Sequence, residues 1–350
     1  MPDFHKLKIK KITRETTKAV VIDFEIPENL KEVFTFIPGQ YTTLKTEIDG
    51  EEVRRAYSIC STPMDSQLSV AVKEVENGTF STYANRQMKE GDVLEVHPPE
   101  GTFLLETNTS NNNWYIAFAA GSGITPILSM ITSVLKNEPD SSFVLVYGNR
   151  TFTETMFVQN LLNLVRNYPN RLHIEFFYSR KQEENAKFGR IEKSTINYIL
   201  KNRFQNIEFT SYYLCGPEAM INSCKEVLSE NGIDKDKVHS ELFTSSTVST
   251  PIDKNLDGNT SISILVDDEE FKFVMSQNQT ILNAALDQDI DAPYSCQGGV
   301  CSSCICKVTQ GSAVMEKNSI LTDSEVEEGL VLACQAHPTT PTISIDFDDV

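Results

Sequence analysis

PYSCQGGVCSSCICKV, residues 293–308, contains four cysteines, and three of them lie in one glycine-bearing loop. Cys296, Cys301 and Cys304 have the spacing C-x4-C-x2-C, and Cys334 follows thirty residues after the third of them. This spacing is typical of a plant-type [2Fe-2S] centre held by four thiolates. The two glycines fit that interpretation because a loop around a cluster needs close backbone approach and unusual dihedral angles. The sequence therefore predicts an iron-sulfur domain in the last third of the chain.

Zinc and disulfides are the alternatives to a cluster. Structural zinc sites usually combine two separated close cysteine pairs, which is not the spacing found here. The chain start, MPDFHKLKIKKITRE, lacks an apolar signal core, and no stretch approaches the roughly 20 apolar residues of a membrane span. We therefore expect a cytoplasmic protein whose thiols stay reduced, which disfavours disulfides. Cys306 is expected to be a packed core thiol, with a ligand role as the alternative.

A second pattern lies near the middle of the chain, in WYIAFAAGSGITPILSMITSVL. Trp114–Ala120 is predicted to form a buried strand, Gly121 and Gly123 a tight turn, and Pro126 suits the first turn of a helix. A helix N-terminus after such a turn offers N–H groups and a favourable dipole to a pyrophosphate. The strict dinucleotide fingerprint has a third glycine where Pro126 stands, so an ordinary turn is the alternative.

The segments that follow alternate between strands and helices. Apolar strands are predicted in SSFVLVYGNR, RLHIEFFYSR and FTSYYLCGPEAM, and helices in ETMFVQNLLNLVRN and EAMINSCKEVLSENG. This alternation predicts a doubly wound α/β domain with its ligand site at the carboxyl ends of parallel strands. Ser179 and Arg180 close one strand, where an arginine can bind a 2′-phosphate or simply be solvated. Cys215, Gly216 and Pro217 close another, where small groups would admit a nicotinamide ring, or Cys215 would fill the core.

Nicotinamide and iron-sulfur chemistry differ in electron count. A nicotinamide delivers a hydride, which carries two electrons, whereas a [2Fe-2S] cluster accepts one electron, and a flavin between them resolves the difference. The first hundred residues are therefore expected to bind a flavin, with FAD predicted and FMN as the alternative. They contain short alternating segments, such as TTKAVVIDFEI and QLSVAVKEV, separated by Gly, Pro, Asn and Asp turns. This pattern predicts an antiparallel β-barrel.

Eight motifs in chain order carry a family resemblance: RRAYSIC, ENGTFSTYAN, PPEGTF, AAGSGITP, YGNR, YSR, LCGPEAM and the cysteine loop. Together they resemble the ferredoxin-NADP reductase superfamily, in the form that carries a C-terminal plant-type ferredoxin domain of β-grasp fold. The resemblance covers nearly the whole chain. It implies that electrons pass from NADPH through FAD and a [2Fe-2S] cluster to the oxygenase component of a multicomponent diiron oxygenase. Phenylacetyl-CoA is the implied substrate that this partner epoxidises.

The resemblance also implies residue roles. Tyr57 would lie against the flavin ring, Ser58 beside its N5 region, and Arg55 on the flavin pyrophosphate, unless Arg55 is only a surface charge. Glu241 and Phe243, in SELF, would fold back toward flavin and nicotinamide. A catalytic role is implied for Tyr57, Ser58, Cys215, Glu241 and Phe243. The remaining implied cofactor contacts are Gly78, Ser81 and Thr82 at a helix start beside the flavin pyrophosphate, and Gly121, Gly123, Thr125, Pro126, Ser179, Arg180, Gly216 and Pro217 around the nicotinamide coenzyme.

Composition predicts the domain boundaries and one feature of the partner. The FAD-binding barrel is predicted at residues 1–108, the NADP-binding domain at 109–243, a linker rich in Ser, Thr and turn formers at 244–259, and the ferredoxin domain at 260–350. From residue 258 onward, the chain has fifteen acidic residues, three lysines and no arginine. This segment therefore carries twelve of the eighteen net negative charges. Such a surface aids solubility or docks a basic oxygenase subunit, with Asp287, Asp289 and Asp291 as candidates. The sequence contains no basic patch that would indicate nucleic-acid binding.

Two other functions fit part of the pattern. The same electron path would serve a Rieske-type ring hydroxylase or a membrane hydroxylase equally well. A redox-sensing or electron-storing interaction protein would carry the same cofactors without turnover. The complete set of flavin and nucleotide motifs disfavours the sensor.

Overall fold

The computed structural model describes residues 4–243, residue 256 and residues 258–350. Residues up to Phe243 form one compact unit, and the later residues form a second one. The predicted linker at 244–259 lies outside the described residues except for positions 256, 258 and 259. Within these described ranges, no helix has both the length and the apolar character needed to cross a membrane.

The N-terminal domain is built on six antiparallel strands. They are β1 His5–Thr16, β2 Ala19–Glu25, β3 Tyr41–Ile48, β4 Glu51–Ser58, β5 Leu68–Lys73 and β6 Val93–Val96. The order is β4-β3-β6-β1-β2-β5, and a bridge between Ile59 and Val70 joins the two outer strands, so the sheet closes into the predicted barrel. Helix α1, Thr79–Arg86, packs on the barrel core through Phe80 and Ala84.

The second domain is a parallel sheet with helices on both faces. Its elements are β7 Trp114–Ala120, α2 Ile124–Asn137, β8 Ser142–Asn149, α3 Val158–Asn167, β9 Leu172–Tyr178, β10 Lys187–Phe188, α4 Lys193–Tyr198, β11 Ser211–Cys215, α5 Glu218–Glu230 and β12 Val238–Glu241. The order is β10-β9-β8-β7-β11-β12, and every pairing is parallel. The chain therefore reverses direction across the sheet between β7 and β11. Such a switch point opens a crevice at the carboxyl ends of the strands.

One predicted helix starts later than its sequence pattern indicates. The apolar spacing of ETMFVQNLLNLVRN predicts a helix from Glu154, but α3 begins at Val158. Phe157 has a φ of 59°, a left-handed conformation that interrupts a right-handed helix. Its backbone N–H donates to Glu15 Oε1 of the barrel at 2.7 Å. A contact between domains therefore sets this helix start. By contrast, the strand predicted at Trp114–Ala120 is confirmed.

The barrel and the parallel-sheet domain share one apolar cluster. Ala19, Cys60 and Ala71 of the barrel pack in the same cluster as Ile127 and Ile131 of α2. Polar contacts border this cluster: the hydroxyls of Thr62 and Ser133 are 2.8 Å apart, Ser129 Oγ donates to the Ser61 carbonyl at 2.6 Å, and Lys136 pairs with Asp65 at 2.5 Å. The two domains therefore hold a fixed geometry relative to each other.

The C-terminal unit is a mixed sheet with short helices. Its elements are β13 Asn259–Val266, β14 Glu269–Ser276, α6 Ile281–Leu286, β15 Ile305–Gln310, β16 Ala313–Met315, α7 Asp323–Glu327, β17 Leu330–Leu332, β18 Ala336–Pro338 and β19 Thr342–Asp346. The main sheet has the order β14-β13-β19-β15-β17, with β13 and β19 parallel. Apolar side chains of α6 pack into the core of this sheet. This is the β-grasp arrangement that the sequence analysis predicted.

Candidate functional site

Two strand ends from different domains meet at the crevice. The last residue of β4 is Ser58, which is buried, and the last residue of β12 is Glu241. Ser58 Oγ donates a hydrogen bond to Glu241 Oε2 at 3.2 Å. Cys215, the last residue of β11, pairs with Glu241 in the parallel ladder between β11 and β12. Three of the predicted catalytic side chains therefore lie together, on strand ends where the flanking sheets hold them.

The environment of these groups changes their protonation. Burial raises the pKa of Glu241 to about 8, and the hydrogen bond from Ser58 opposes part of that shift. Burial, and then the nearby Glu241 carboxylate, raise the pKa of Cys215 well above its ordinary value. At neutral pH, Cys215 is therefore a neutral thiol and Glu241 is mostly protonated. The site holds a carboxyl that exchanges its proton near working pH.

Tyr57 and Arg55 lie two positions apart on β4 and share a face of the strand. The Tyr57 ring packs 5.4 Å from the Phe80 ring of α1, and burial raises the pKa of its hydroxyl, opposed by Arg55. Arg55 is half-buried, and its Nη1 donates to the Arg54 carbonyl at 2.6 Å. The arrangement gives an aromatic surface next to a cation at the end of the barrel, as a flavin and its phosphates require.

The predicted pyrophosphate contacts lie at the start of α1, beside a cavity lined in part by Gly78 and Thr82. A Cβ on Gly78 would come within 2.4 Å of Ser81 Oγ and of a Val75 methyl carbon, so a larger residue here would force these side chains to move. The Thr82 N–H already donates to the Gly78 carbonyl at 3.1 Å. Helix geometry leaves the amides of Thr79, Phe80 and Ser81 for a ligand. The Gly78 N–H likewise donates to the Val75 carbonyl at 3.1 Å, so Gly78 and Thr82 line the cavity with their amides already engaged.

The glycine turn after β7 is tightly enclosed. A Cβ on Gly123 would lie 2.1 Å from the Cys215 carbonyl oxygen, and one on Gly216 would lie 3.1 Å from Ala120. The turn and the end of β11 therefore approach each other as closely as backbone allows. Thr125 Oγ1 donates to the Ser122 carbonyl at 3.0 Å, which closes the first turn of α2. Three other predicted contacts have the following positions. Pro126 is buried in α2, Pro217 directly precedes α5, and the half-buried Phe243 packs against the shared apolar cluster.

Arg180 is exposed beyond the end of β9, next to Ser179. The N–H groups of Ser179 and Arg180 donate to the carbonyls of Asn149 and Arg150, both at 3.0 Å. These bonds bring the exposed Arg150, at the end of the neighbouring strand β8, beside Arg180. The sequence analysis predicted a coenzyme contact at Arg180 and assigned no role to Arg150, although YGNR was among the motifs.

Two further side chains at this edge were missed. Lys73 ends β5 of the barrel, and its Nζ lies 3.8 Å from the Cβ position on Gly121. Burial lowers the pKa of Lys73. Asn149 Nδ2 is buried and forms no hydrogen bond within the part of the chain that the structure describes, although the side chain lies close enough to the Tyr147 hydroxyl to lower its pKa. Lys73 therefore offers a cation at the turn, and Asn149 lies behind the turn beside the Tyr147 hydroxyl.

The four cysteines of the C-terminal unit converge around one loop. Cys296 interacts with the thiols of Cys301 and Cys334, and these contacts hold the pKa of Cys296 far below its usual range. Cys304 contacts Cys334, and both side chains belong to the buried core of the C-terminal unit. Among the residues that the structure describes, no three or more His, Cys, Asp or Glu side chains are arranged as for a single bound ion.

Backbone and amide N–H groups point at these sulfurs. Gly298 N–H donates to Cys296 Sγ at 3.3 Å, Cys296 N–H to Cys301 Sγ at 3.5 Å, and Gln335 Nε2 to Cys334 Sγ at 3.6 Å. Hydrogen bonds of this kind tune the potential of a cluster held by thiolates. Cys306 instead buries its thiol against the Val331 carbonyl at 3.8 Å. Four converging thiols with N–H donors fit a [2Fe-2S] cluster, and Cys306 stands outside the set.

Three family profiles match successive parts of the chain. Residues 6–104 match the oxidoreductase FAD-binding domain, residues 118–226 the oxidoreductase NAD-binding domain, and residues 264–339 the 2Fe-2S iron-sulfur cluster binding domain. The solved structure of phthalate dioxygenase reductase has the same fold, with a TM-score of 0.63 over 98% of both chains at 22% identity.

Curated relatives match over the full length. One component of 1,2-phenylacetyl-CoA epoxidase from Escherichia coli is 38% identical over 99% of each chain. The chain belongs to the ferredoxin-NADP reductase superfamily, in its form with a C-terminal [2Fe-2S] domain. Another such protein, the ferredoxin reductase component of 3-ketosteroid-9-alpha-monooxygenase from Rhodococcus rhodochrous, is 31% identical over 97% of this chain and 96% of its own.

As a member of this superfamily, the protein is an NAD(P)H-dependent oxidoreductase that uses FAD and a [2Fe-2S] cluster and supplies electrons to an oxygenase component. FAD bound at the barrel supplies the exchange between two-electron and one-electron chemistry. The residues described above fit these groups in their chemistry: an aromatic face beside Arg55 at the barrel, an enclosed glycine turn with Lys73, and four thiols with N–H donors.

Proposed function

We propose that the protein is the NADPH-dependent reductase of a diiron oxygenase that epoxidises phenylacetyl-CoA. The observation that carries this proposal is the 38% identity to the component of 1,2-phenylacetyl-CoA epoxidase, which extends over 99% of both chains and therefore includes all three cofactor domains. None of the eight cysteines, all of which lie in the described part of the chain, forms a disulfide. Free thiols suit a reducing compartment, so we place this function in the cytoplasm.

The residues at the crevice take distinct parts in this proposal. Tyr57 covers the flavin ring, and Arg55 with the amides at the start of α1 binds its pyrophosphate. Ser58 and Glu241 hold a proton beside the place where the nicotinamide and flavin rings would meet. The neutral Cys215 lies next to Glu241 on the neighbouring strand. A protonated carboxyl bonded to a hydroxyl places hydrogen-bond donors where charge develops during hydride transfer. The small residues Gly123 and Gly216 leave room for the nicotinamide.

NADPH preference rests on Arg180 and its neighbour Arg150. Both are exposed and stand at the carboxyl ends of adjacent strands, where a 2′-phosphate reaches in doubly wound folds. Two guanidinium groups can bind one phosphate through several charged hydrogen bonds. Lys73 adds a third positive charge from the barrel, closer to the turn and therefore suited to the pyrophosphate. The coenzyme would thus be held by charges from both domains of the N-terminal unit.

Reconstitution tests the choice of partner. The purified protein, NADPH and the catalytic subunits of phenylacetyl-CoA epoxidase are expected to convert phenylacetyl-CoA with NADPH consumption coupled to product. A matched assay replaces those subunits with the oxygenase component of 3-ketosteroid-9-alpha-monooxygenase, whose reductase is 31% identical to this chain. Coupled turnover with the second oxygenase and none with the first would reject the epoxidase and keep the reductase chemistry. Rapid NADPH-dependent reduction of an artificial one-electron acceptor distinguishes a reductase from a redox sensor.

A further inference from the structure

Tyr147 lies in β8, completely buried beneath the glycine turn that follows β7. Its hydroxyl is 2.9 Å from the Gly121 carbonyl oxygen and 3.4 Å from the Met156 carbonyl oxygen. A hydroxyl has one proton to donate, so the shorter contact with Gly121 is the main hydrogen bond. Burial raises the pKa of Tyr147, so the hydroxyl stays protonated and remains a donor at neutral pH.

This hydrogen bond determines which way the next amide points. The described peptide bonds are all trans, and in a trans peptide the C=O and the following N–H point in opposite directions. Because the Gly121 carbonyl faces Tyr147, the Ser122 N–H points away from the tyrosine ring. Gly121 has a φ of 58°, where glycine meets little steric resistance and other conformations are open to it. The tyrosine hydroxyl therefore selects one orientation of a peptide plane that glycine alone leaves free to rotate.

We propose that Tyr147 is a positioning residue for the coenzyme. It fixes the Gly121–Ser122 peptide plane so that the Ser122 N–H and the first turn of α2 face the coenzyme pyrophosphate. This inference rests on the proposed role of the 121–126 turn as the coenzyme site. Tyr147 itself stays behind the turn and touches no substrate atom, so it acts through the backbone of Gly121.

A second anchor keeps Tyr147 in place. The hydroxyl also faces the carbonyl of Met156, and the next residue, Phe157, has a left-handed backbone that is unusual for a residue with a large side chain. The Phe157 N–H is held by the Glu15 carboxylate of the barrel at 2.7 Å, and its side chain is buried in the shared apolar cluster. The loop on one side of Tyr147 is therefore fixed to the barrel. The buried Tyr147 ring is held between this loop and the glycine turn, so its hydroxyl oxygen stays within hydrogen-bond reach of the Gly121 carbonyl.

Tyr147→Phe removes the hydroxyl and keeps the buried ring. Anaerobic stopped-flow measurement of flavin reduction gives the coenzyme Kd from the concentration dependence and the limiting rate from saturation. We expect the Kd to rise about three- to tenfold, as for the loss of one neutral hydrogen bond, with the limiting rate changed less than about twofold. The increase should be equal for NADPH and NADH, because both carry the pyrophosphate. Tyr212→Phe is the matched control, since Tyr212 lies near the opposite end of β11 in the same sheet.

A lower melting temperature with an unchanged Kd would make the Tyr147 hydroxyl purely structural and would overturn the inference. An equal rise of Kd in Tyr212→Phe would do the same. Lys73→Met separates this failure from a failure of the proposed site. If Lys73→Met weakens coenzyme binding and Tyr147→Phe does not, the turn remains the site and only the inference about Tyr147 falls. If neither variant changes the Kd, the 121–126 turn is not the coenzyme site. The proposed role of the turn and the inference about Tyr147 are then both rejected.

Discussion

The Ser58 hydroxyl donates a hydrogen bond to the Glu241 carboxyl across 3.2 Å, although 183 residues separate the two in sequence. Ser58 ends a strand of the antiparallel barrel, and Glu241 ends a strand of the parallel sheet. The bond therefore joins the flavin-binding and nucleotide-binding domains at the crevice beyond the carboxyl ends of the parallel strands. The protonation of Glu241 therefore depends on the packing of the two domains against each other.

The pH dependence of flavin reduction tests this pair. Burial raises the pKa of Glu241 to about 8, so the carboxyl changes charge between roughly pH 7 and pH 9. We expect the limiting rate of flavin reduction by NADPH to change across this range in the parent and to stay flat in Glu241→Gln. Ser58→Ala should lower the rate about three- to tenfold through the loss of one hydrogen bond. If Glu241→Gln keeps the same pH profile, another group titrates there.

Thermal stability should carry the same signature with a defined sign. The folded-state pKa of Glu241 lies above its ordinary value of 4.5, so between these values the folded protein binds more protons than the unfolded chain. Stability is therefore lost as pH rises toward 8 and changes no further above it. We expect the melting temperature of the parent to fall more than that of Glu241→Gln between pH 5.5 and pH 8.5. Parallel curves for the two proteins would contradict a raised pKa.

Cysteine variants test the cluster. Cys301→Ala should lose iron and the visible spectrum of the cluster while it keeps FAD, because the two groups bind in separate compact units. The parent should carry about two irons per chain. Cys306→Ala is the matched control, since its buried thiol faces the Val331 carbonyl, and it should keep the iron. Iron lost from Cys306→Ala but kept in Cys301→Ala, or zinc in the anaerobically prepared parent, would refute the assignment.

Coenzyme choice tests Arg180. Removal of a charged hydrogen bond costs about 1.5 to 3 kcal/mol, so Arg180→Ala should weaken NADPH about ten- to hundredfold. NADH has no 2′-phosphate and should be little affected. The control is Lys181→Ala, because Lys181 is the next residue and already pairs with Glu183 at 3.2 Å. Equal weakening of both coenzymes in Arg180→Ala would assign the residue to a shared part of the nucleotide or to folding.

Salt dependence tests the acidic surface of the C-terminal domain. Asp287, Asp289 and Asp291 are exposed just before the cysteine loop. Attraction between exposed charges on two proteins is screened beyond roughly 8 to 10 Å at physiological salt. Raising salt should therefore slow coupled oxygenase turnover at limiting partner, whereas flavin reduction by NADPH within the chain should change little. Replacing the three aspartates by Asn should reproduce the slowdown at low salt and flatten the salt response.

A control with equal charge loss is available in the barrel. Glu25, Glu32 and Glu51 are exposed there, and their replacement by Gln removes the same three charges from a different domain. This triple variant should keep the salt response of the parent. If the aspartate variant also behaves like the parent across the salt series, docking uses another surface.

The sequence predicted the features that depend on neighbouring residues. The four-cysteine spacing predicts its cluster because three ligands lie in one loop, whose local backbone alone brings them together. Strand β7 was predicted at its observed bounds because seven apolar residues end at a glycine turn. Arg180 is proposed as a coenzyme contact because it follows an apolar strand, and parallel strands end at the ligand edge of the sheet.

Only the tertiary structure decided the contacts between distant segments. Lys73 reaches Gly121 from the barrel, and Glu15 holds the Phe157 amide, so α3 begins four residues later than its apolar spacing indicates. In the sequence, Tyr147 is one of several apolar residues of a predicted strand. In the structure, its hydroxyl donates a hydrogen bond to the Gly121 carbonyl. Periodicity tells which face of an element is buried, but not which group of another element it meets, because that depends on how whole domains pack. The cofactor set therefore follows from the sequence, and the proposed proton and coenzyme contacts follow from the packing of barrel against sheet.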